Sequence, residues 1–155
     1  MPVNIDYLAN HTHFIPTLAA WHHEQWQHLN PDDYDIAARC REYEIAAQTA
    51  SIPLMLVAYE QNQPMGSTRL IMDDMETRPE LFPWLASLFV HPHFRNQGIA
   101  RQLIARLCEE AKRLGYEKLY LFTEDQEALY THLGWCAMSN ENYYDMPVTV
   151  MYYQL

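Results

Sequence analysis

The chain has 155 residues, of which 49% are hydrophobic, and its formal net charge at neutral pH is -10. This length and apolar content predict one domain with one core, spanning residues 1–155. The negative charge repels polyanions, so nucleic acid is excluded as an expected partner. The same charge attracts cations, which makes an amine-bearing ligand electrostatically plausible, although acidity also simply keeps a protein soluble.

Membrane, secretory and metal-binding classes are also disfavoured by the sequence. No apolar run approaches the roughly 20 residues of a membrane span, and no basic and apolar leader opens the chain, so we expect a cytoplasmic protein. The three cysteines, Cys40, Cys108 and Cys136, are odd in number and widely spaced, which predicts reduced packing residues. The eight histidines lack cysteine or carboxylate companions at ligand spacing, so we predict no metal site.

Helical periodicity predicts two helices in the first third of the chain. The first covers residues 13–29 and ends at Asn30-Pro31. The second begins at a cap formed by Asp32 or Asp33. Its predicted apolar face consists of Ile36, Cys40, Tyr43 and Ala47.

Two apolar runs follow, at residues 53–59 and 65–72, and the polar segment between them predicts an antiparallel hairpin. Residues 73–83 contain four acidic residues and two prolines, which predicts an exposed connection.

The second half of the chain alternates strands with helices. Residues 85–90 predict a buried strand, and residues 118–122 predict the next one. A long amphipathic helix between them starts after Gly98 and ends near Gly115, so the two strands are expected to pair in parallel. A short helix at residues 125–132 and two strands at 134–138 and 148–153 complete the pattern.

The turn that opens the long helix predicts an anion site. Successive main-chain N–H groups at such a turn point toward one ligand, a glycine lets phosphate oxygens approach closely, and arginine adds positive charge. A pyrophosphate matches this description. The predicted site comprises Arg95, Asn96, Gln97, Gly98, Ile99, Ala100 and Arg101.

Two segments carry a resemblance to a known superfamily. Val90-His91-Pro92 with residues 95–100 resembles the acetyl-CoA motif of the GNAT N-acetyltransferases, Q/R-x-x-G-x-G/A, and residues 128–135 resemble their F/L-Y-x-x-x-G-F/Y/W segment. Residues 74–86 are similar to a bacterial group of largely unassigned substrate. The resemblance implies an α/β GNAT fold, in which about four helices flank a central mixed sheet of six to seven strands with a splayed parallel pair.

The resemblance also implies acetyl-CoA as co-substrate. Leu88, Phe89 and Val90 occupy the place where the superfamily grips the pantetheine arm and polarises the thioester carbonyl with a main-chain N–H group. Thr123 stands where many members have a cofactor-binding asparagine, and its hydroxyl can still donate to the cofactor.

Three residues are candidates for proton transfer. Tyr130 occupies the position of the tyrosine that protonates the departing CoA thiolate in many members of the superfamily. A lysine-type ammonium has a pKa of about 10.4, so a base is also required. Glu76 is the first candidate and Asp74 the second, although the acidic segment around them is also typical of plain solvation. Trp84 is a candidate for holding the amine by cation–π contact.

The expected function is acetyl transfer in a ternary complex to a primary amine of a small molecule, polyamine or aminoglycoside-like, or of a peptide. Two alternatives stay open. One is an acyl-CoA-binding regulatory module without catalysis. The other is a protein N-terminal acetyltransferase, since residues 123–126 and 130–134 resemble such enzymes. Many relatives dimerise through strands near the C-terminus, here residues 148–153, so a homodimer is also an expectation.

Overall fold

The computed structural model describes residues 3–155. Within this range seven strands form one mixed sheet in the order β1-β2-β3-β4-β5-β7-β6. The strands are β1 (Asn4–Tyr7), β2 (Leu54–Glu60), β3 (Gln63–Ile71), β4 (Trp84–Val90), β5 (Lys118–Thr123), β6 (Cys136–Tyr143) and β7 (Met146–Gln154). The helices are α1 (Ile15–Trp26), α2 (Ile36–Ile45), α3 (Ile99–Arg113) and α4 (Glu127–His132). The predicted fold class is confirmed.

Alternating side chains of β2 explain how the sheet is covered on both faces. Leu54 and Leu56 pack into the cluster that contains the apolar stripe of α3, including Leu103 and Leu107. Residues 55 and 57 point to the opposite face and pack with α1 and α2. Because a strand exposes successive side chains to opposite faces, a continuous apolar run indicates burial on both sides.

The parallel pair of β4 and β5 separates almost at once. Within residues 3–155 their register contains one residue pair, Trp84 with Tyr120. Further along β4, Ser87 has a φ of 55°, and the register with β3 shifts at the same place, which marks a β-bulge. The rest of β4 therefore leaves main-chain groups on its β5 side without a strand partner.

The N-terminal helices differ in detail from the sequence predictions. The first helix is shorter, because turns of 3-10 type occupy Thr12–Phe14 and Gln27–Leu29. The cap of α2 is Asp35, whose Oδ1 accepts from the Ala38 N–H at 2.8 Å, rather than Asp32 or Asp33. Of the predicted apolar face, Tyr43 is buried and Cys40 and Ala47 pack against the same core, whereas Ile36 is 42% exposed and was predicted wrongly. Arg39, which was not predicted, is also buried.

The segment at residues 73–83 is exposed only in part, since Met75 and Leu81 are buried. Trp84, at its end, is fully buried, and its Nε1 donates to the Leu81 carbonyl at 2.6 Å. The expectation that Trp84 holds a substrate amine is therefore wrong. Its indole belongs to the core formed by Ile71, Met75, Leu81, Ala86, Tyr143, Val148 and Val150.

The strands near the C-terminus form a hairpin that closes at Tyr144 and Asp145, which both have positive φ, as a type I′ turn requires. Strand β7 lies between β5 and β6, so it offers no free edge to a second copy, and the predicted homodimer stays untested. Strand β1 was not predicted. In the part of the chain described, no helix is long and apolar enough to cross a membrane.

Candidate active site

A cavity of about 480 Å³ opens where β4 and β5 diverge. This volume falls in the usual range of small-molecule sites. Its walls come from the C-terminal part of α1, from α2, from β3 to β5, and from the segment that leads into α4. Sheet splaying thus creates the space, and helices on both faces of the sheet enclose it.

One part of the wall, the turn region, consists of Leu88, Phe89, Val90, Arg95 and Ala100. The first three belong to the part of β4 that has no β5 partner, although Phe89 and Val90 still pair with β3 on the other side. The Nε of Arg95 donates to the Val90 carbonyl at 2.8 Å, and its guanidinium lies 5.7 Å from the centre of the Phe89 ring. These contacts hold a positive charge at the end of β4.

The N-terminus of α3 adjoins the turn region. Gly98 precedes the helix with a φ of 78°, and a Cβ atom added there would meet no described atom within 4 Å. The first helical turn contains no acidic residue, so its free N–H groups face no competing carboxylate. Asn96 and Gln97 are exposed on the same turn, whereas the side chain of Ile99 is buried in the core.

Arg101 differs from the other residues predicted at this turn. Its exposed side chain lines a second cavity, which is formed by α3 with the end of β7, and does not line the first. A role for its main-chain N–H group stays a prediction.

Tyr130 and Thr123 both line the first cavity. Tyr130 is 7% exposed, and burial, with a smaller contribution from Asp125, raises its pKa above the ordinary value. Its phenol is therefore a proton or hydrogen-bond donor at neutral pH. The Oγ1 of Thr123 accepts from the Gln126 N–H at 3.0 Å, so this hydroxyl helps to fix the start of α4.

A second part of the wall, the arginine region, consists of Asn30, Arg39, Arg69 and Asp74. The Nη2 of Arg39 donates to Oδ1 of Asn30. Arg69 donates from Nη1 to Oε1 of Glu42 and from Nε to Oγ of Ser87, both at 3.0 Å. Two buried guanidinium groups thus contribute to one cavity.

Buried polar side chains support the arginine region from behind. His22 Nδ1 lies 2.7 Å from the Tyr43 hydroxyl, and its Nε2 lies 3.0 Å from the Ser67 hydroxyl. Burial, together with the charges of Arg69 and Arg39, lowers the pKa of His22 well below its usual value. The imidazole is therefore neutral, and it links α1, α2 and β3 through hydrogen bonds.

The two candidate bases have different surroundings. Asp74 lines the cavity, and burial raises its pKa to about 6, with Arg69 opposing and Glu42 reinforcing that rise. Glu76 is exposed, does not line the cavity, and accepts from the Tyr144 hydroxyl at 2.9 Å. The geometry therefore favours the second candidate over the first.

The sequence predictions missed Arg39 and Arg69. A signal existed for each of them. Arg69 interrupts an apolar strand, where a charged residue is costly unless it has a purpose. Arg39 lies four residues before Tyr43, and therefore on the same helix face.

Other reactive side chains lie outside this arrangement. Burial raises the thiol pKa of Cys108 to about 11, so it is a poor nucleophile. His91 packs against Trp21 and His93, and its pKa is lowered by burial first and then by His93 and Arg95. Across residues 3–155 no group of three or more His, Cys, Asp or Glu is placed to hold a metal ion.

Comparison of the sequence with protein-family models agrees with the cavity, the splayed strands and the glycine turn. The model of the Acetyltransferase (GNAT) family matches residues 15–135, more than three quarters of the chain. The chain belongs to the GNAT acetyltransferase family. Curated protein sequences gave no match.

Solved structures of GNAT proteins share this fold at low identity. One is yncA from Salmonella typhimurium, solved with acetyl-CoA, with a TM-score of 0.76 and 19% identity over 100% of this chain and 95% of that one. An aminoglycoside 6'-N-acetyltransferase, solved with coenzyme A, gives a TM-score of 0.76 and 16% identity over 99% of this chain and 97% of that one. PaiA N-acetyltransferase from Thermoplasma acidophilum, also with coenzyme A, gives 0.69 and 16% over the full length of both.

Proposed function

We propose that this protein transfers an acetyl group from acetyl-CoA to a primary amine of a small molecule by direct attack in a ternary complex. One observation carries the proposal. A single cavity brings together the free side of β4, the approach to α3, a carboxylate of raised pKa at Asp74 and a protonated phenol at Tyr130. These are the parts that binding a thioester and moving two protons require.

The turn region and the first turn of α3 suit the acyl donor. Open space at Gly98, free N–H groups and the charge of Arg95 fit a pyrophosphate. The unpaired side of Leu88, Phe89 and Val90 suits the amide groups of a pantetheine arm. We expect an N–H group of this strand to stabilise the negative charge that develops on the thioester oxygen.

Proton transfer by this chain's residues accompanies the exchange of bonds. Asp74 accepts a proton from the substrate ammonium, which frees the nitrogen lone pair. The nitrogen bonds to the thioester carbonyl carbon, the carbon–sulfur bond breaks, and the nitrogen loses its second proton to solvent. Tyr130 donates a proton to the thiolate and regains one from solvent, and Asp74 releases the proton that it accepted to solvent before the next turnover. The net products are the acetamide, CoA and one released proton.

The raised pKa of Tyr130 bears on how it acts. It keeps the phenol protonated in the resting protein, and the thiolate that leaves in the same buried place is also more basic than in water. The same buried environment therefore raises the pKa of both the phenol and the thiol. Because the two shifts have the same sign, the raised pKa of Tyr130 does not by itself prevent proton donation when the carbon–sulfur bond breaks.

A cavity of about 480 Å³ favours a small acceptor. The acidic net charge of the chain favours cationic amines, so polyamine and aminoglycoside-like acceptors belong to this proposal, and a protein N-terminus is the alternative.

Initial-rate kinetics test the proposal. CoA release is measured while acetyl-CoA and an amine from a panel are both varied, and the acetylated product is identified by its mass. The panel includes diamines, amino sugars, amino acids and short peptides. Intersecting double-reciprocal lines are expected for a ternary complex. Parallel lines would indicate a covalent acetyl-enzyme, and binding of acetyl-CoA without turnover of any amine would instead support a regulatory module.

A further inference from the structure

Arg39 has a charge that its surroundings leave unbalanced. It is 3% exposed, and it lines the cavity. Within residues 3–155 no carboxylate oxygen lies within 4.0 Å of its guanidinium nitrogen atoms. Its Nε is buried and has no hydrogen-bond partner in the same range.

The groups that do contact Arg39 are all neutral. Besides Asn30, its guanidinium reaches the Tyr43 hydroxyl from Nη1 at 3.4 Å, and it lies 4.8 Å from the centre of the Tyr34 ring. The adjacent His22 is neutral as well, for the reasons given above. These contacts fix the orientation of the side chain and leave its charge uncompensated.

Arg69 provides the internal comparison. It lies in the same wall and is similarly buried, yet it forms a salt bridge with Glu42 at 3.0 Å. It is also close enough to Asp74 to oppose the rise of that carboxyl's pKa. One arginine of the pair is thus compensated by the protein itself, and the other is not.

A buried arginine stays charged, and a buried charge is costly unless a partner of opposite sign compensates it. We propose that the carboxylate of the acceptor is this partner, so that the substrate is an amino acid-like molecule with both an amine and a carboxylate. The inference rests on the proposed acetyl transfer and names its substrate class. Arg39 binds the carboxylate through its guanidinium, while Asp74 receives the proton of the amine.

Because Arg39 and Asp74 both line this cavity, an acceptor with an amine and a carboxylate would bind there in one orientation. Arg69 is linked to both, since its charge acts on Asp74 and its guanidinium lies 5.0 Å from the centre of the Tyr43 ring, whose hydroxyl Arg39 contacts. A zwitterion matches this arrangement, with its cation toward the carboxylate base and its anion toward the uncompensated guanidinium. A polyamine would bring no anion and would leave Arg39 unbalanced.

Specificity is tested with matched compounds. For several amino acids, initial rates of CoA release are compared with those of the corresponding primary amide and the decarboxylated amine. The amino acid should have a kcat/KM at least about 30-fold higher than either analogue, because a buried charge pair that loses one partner loses at least about 2 kcal/mol.

Three variants assign the preference to one side chain. Arg39→Met should remove the preference for the carboxylate, while acetyl-CoA affinity by calorimetry stays unchanged. Arg39→Lys keeps the charge and should restore part of the preference. Arg41→Met, at an exposed position of the same helix, is the matched control and should behave as wild type. Thermal unfolding verifies that each variant is folded.

The outcomes separate this inference from the proposed function. Acetylation of amines that is indifferent to the carboxylate, or a carboxylate preference that survives in Arg39→Met, would overturn the inference and leave acetyl transfer intact. Acetyl-CoA binding without acetylation of any compound in the panel would remove both. If Arg39→Met does not fold, the Arg39→Lys variant and the matched compounds decide the question.

Discussion

The turn region of the cavity offers mainly backbone groups, along Leu88–Val90 and the first turn of α3. The arginine region instead offers side chains: buried ones from α2 and β3, and a half-buried one from the segment after β3. Ser87 in β4 contacts Arg69, and Val90 lies three residues further, about 10 Å along a strand. In the proposed function, main-chain groups bind acetyl-CoA, and side chains of the arginine region select the acceptor.

This difference affects how each region tolerates change. A strand edge and a helix N-terminus persist under most side-chain substitutions, since their hydrogen-bond donors are not side chains. The arginine region depends on particular atoms of Arg39, Tyr43, His22 and Ser67 held by one buried network. We therefore expect substitutions in the two regions to separate acetyl-CoA binding, acceptor binding and chemistry.

The largest effect on chemistry is expected for Tyr130→Phe. Loss of the phenolic proton should lower kcat by about 10²- to 10⁴-fold, as is usual for a proton donor. Acetyl-CoA affinity should be unchanged, because the ring still packs against Trp135. Steady-state kinetics and calorimetry on the same preparation measure both quantities. An unchanged kcat would remove the role assigned to Tyr130.

A smaller loss, of about 10²-fold in kcat/KM near neutral pH, is expected for Asp74→Asn. Because Asp74 must be ionised to accept a proton, wild-type kcat/KM should rise with pH through about 6. This acidic limb should vanish in the variant, whose rate should rise instead as the free amine becomes populated toward its pKa of about 10.4.

Glu76→Gln is the matched control for that experiment, since the exposed carboxylate lies outside the cavity wall. It should change kcat/KM by less than about twofold, as expected of a surface charge. If Glu76→Gln showed the large loss and Asp74→Asn the small one, Glu76 would be the functional base.

Tyr43→Phe should separate acceptor binding from donor binding. It removes the hydroxyl shared by His22 and Arg39 and leaves buried polar atoms unpaired, which should lower the free energy of unfolding by about 1–3 kcal/mol. The acceptor KM should rise by about tenfold, which is the size of effect expected when one charge-assisted hydrogen bond is lost. Acetyl-CoA affinity should not change. Equal losses for both substrates would mean that the two regions are not independent.

Asp74→Asn should also alter stability, by about 1–3 kcal/mol at pH 7.5. The folded-state pKa of about 6 exceeds the ordinary value of 3.8, so the folded protein binds this proton more tightly. Stability from this group is therefore present below about pH 4 and is lost as pH rises toward 6. The neutral asparagine avoids that loss, so the variant should be more stable at pH 7.5 and similar to wild type near pH 4 in urea unfolding. Equal stability at pH 7.5 would contradict the raised pKa.

The same contrast explains which features the sequence predicted. Residues 88–101 of the turn region are contiguous, so strand, glycine and helix signals lie within one short window. Tyr130 was predicted from the resemblance, and Asp74 was predicted as one of the acidic residues in the segment before β4. The arginine region is assembled from residues 30 to 74, which lie on separate elements. The spacing of four between Arg39 and Tyr43 was the one local sign that α2 turns Arg39 inward, and Ile36, which faces solvent, obscured it. Strand β1 has four residues, too few to show a period.

Calorimetric titration of acetyl-CoA into wild type, Gly98→Trp and Gly115→Trp tests the central claim most directly. Gly98 and Gly115 flank the two ends of α3, have φ values of 78° and 94°, and face open space, so the second variant controls for the strain of the first. The expected result is binding by wild type and Gly115→Trp, weakened at least about 100-fold in Gly98→Trp, where an indole would occupy the pyrophosphate site. No binding by wild type, or equal binding by the two variants, would contradict the assignment of this cavity to acetyl-CoA.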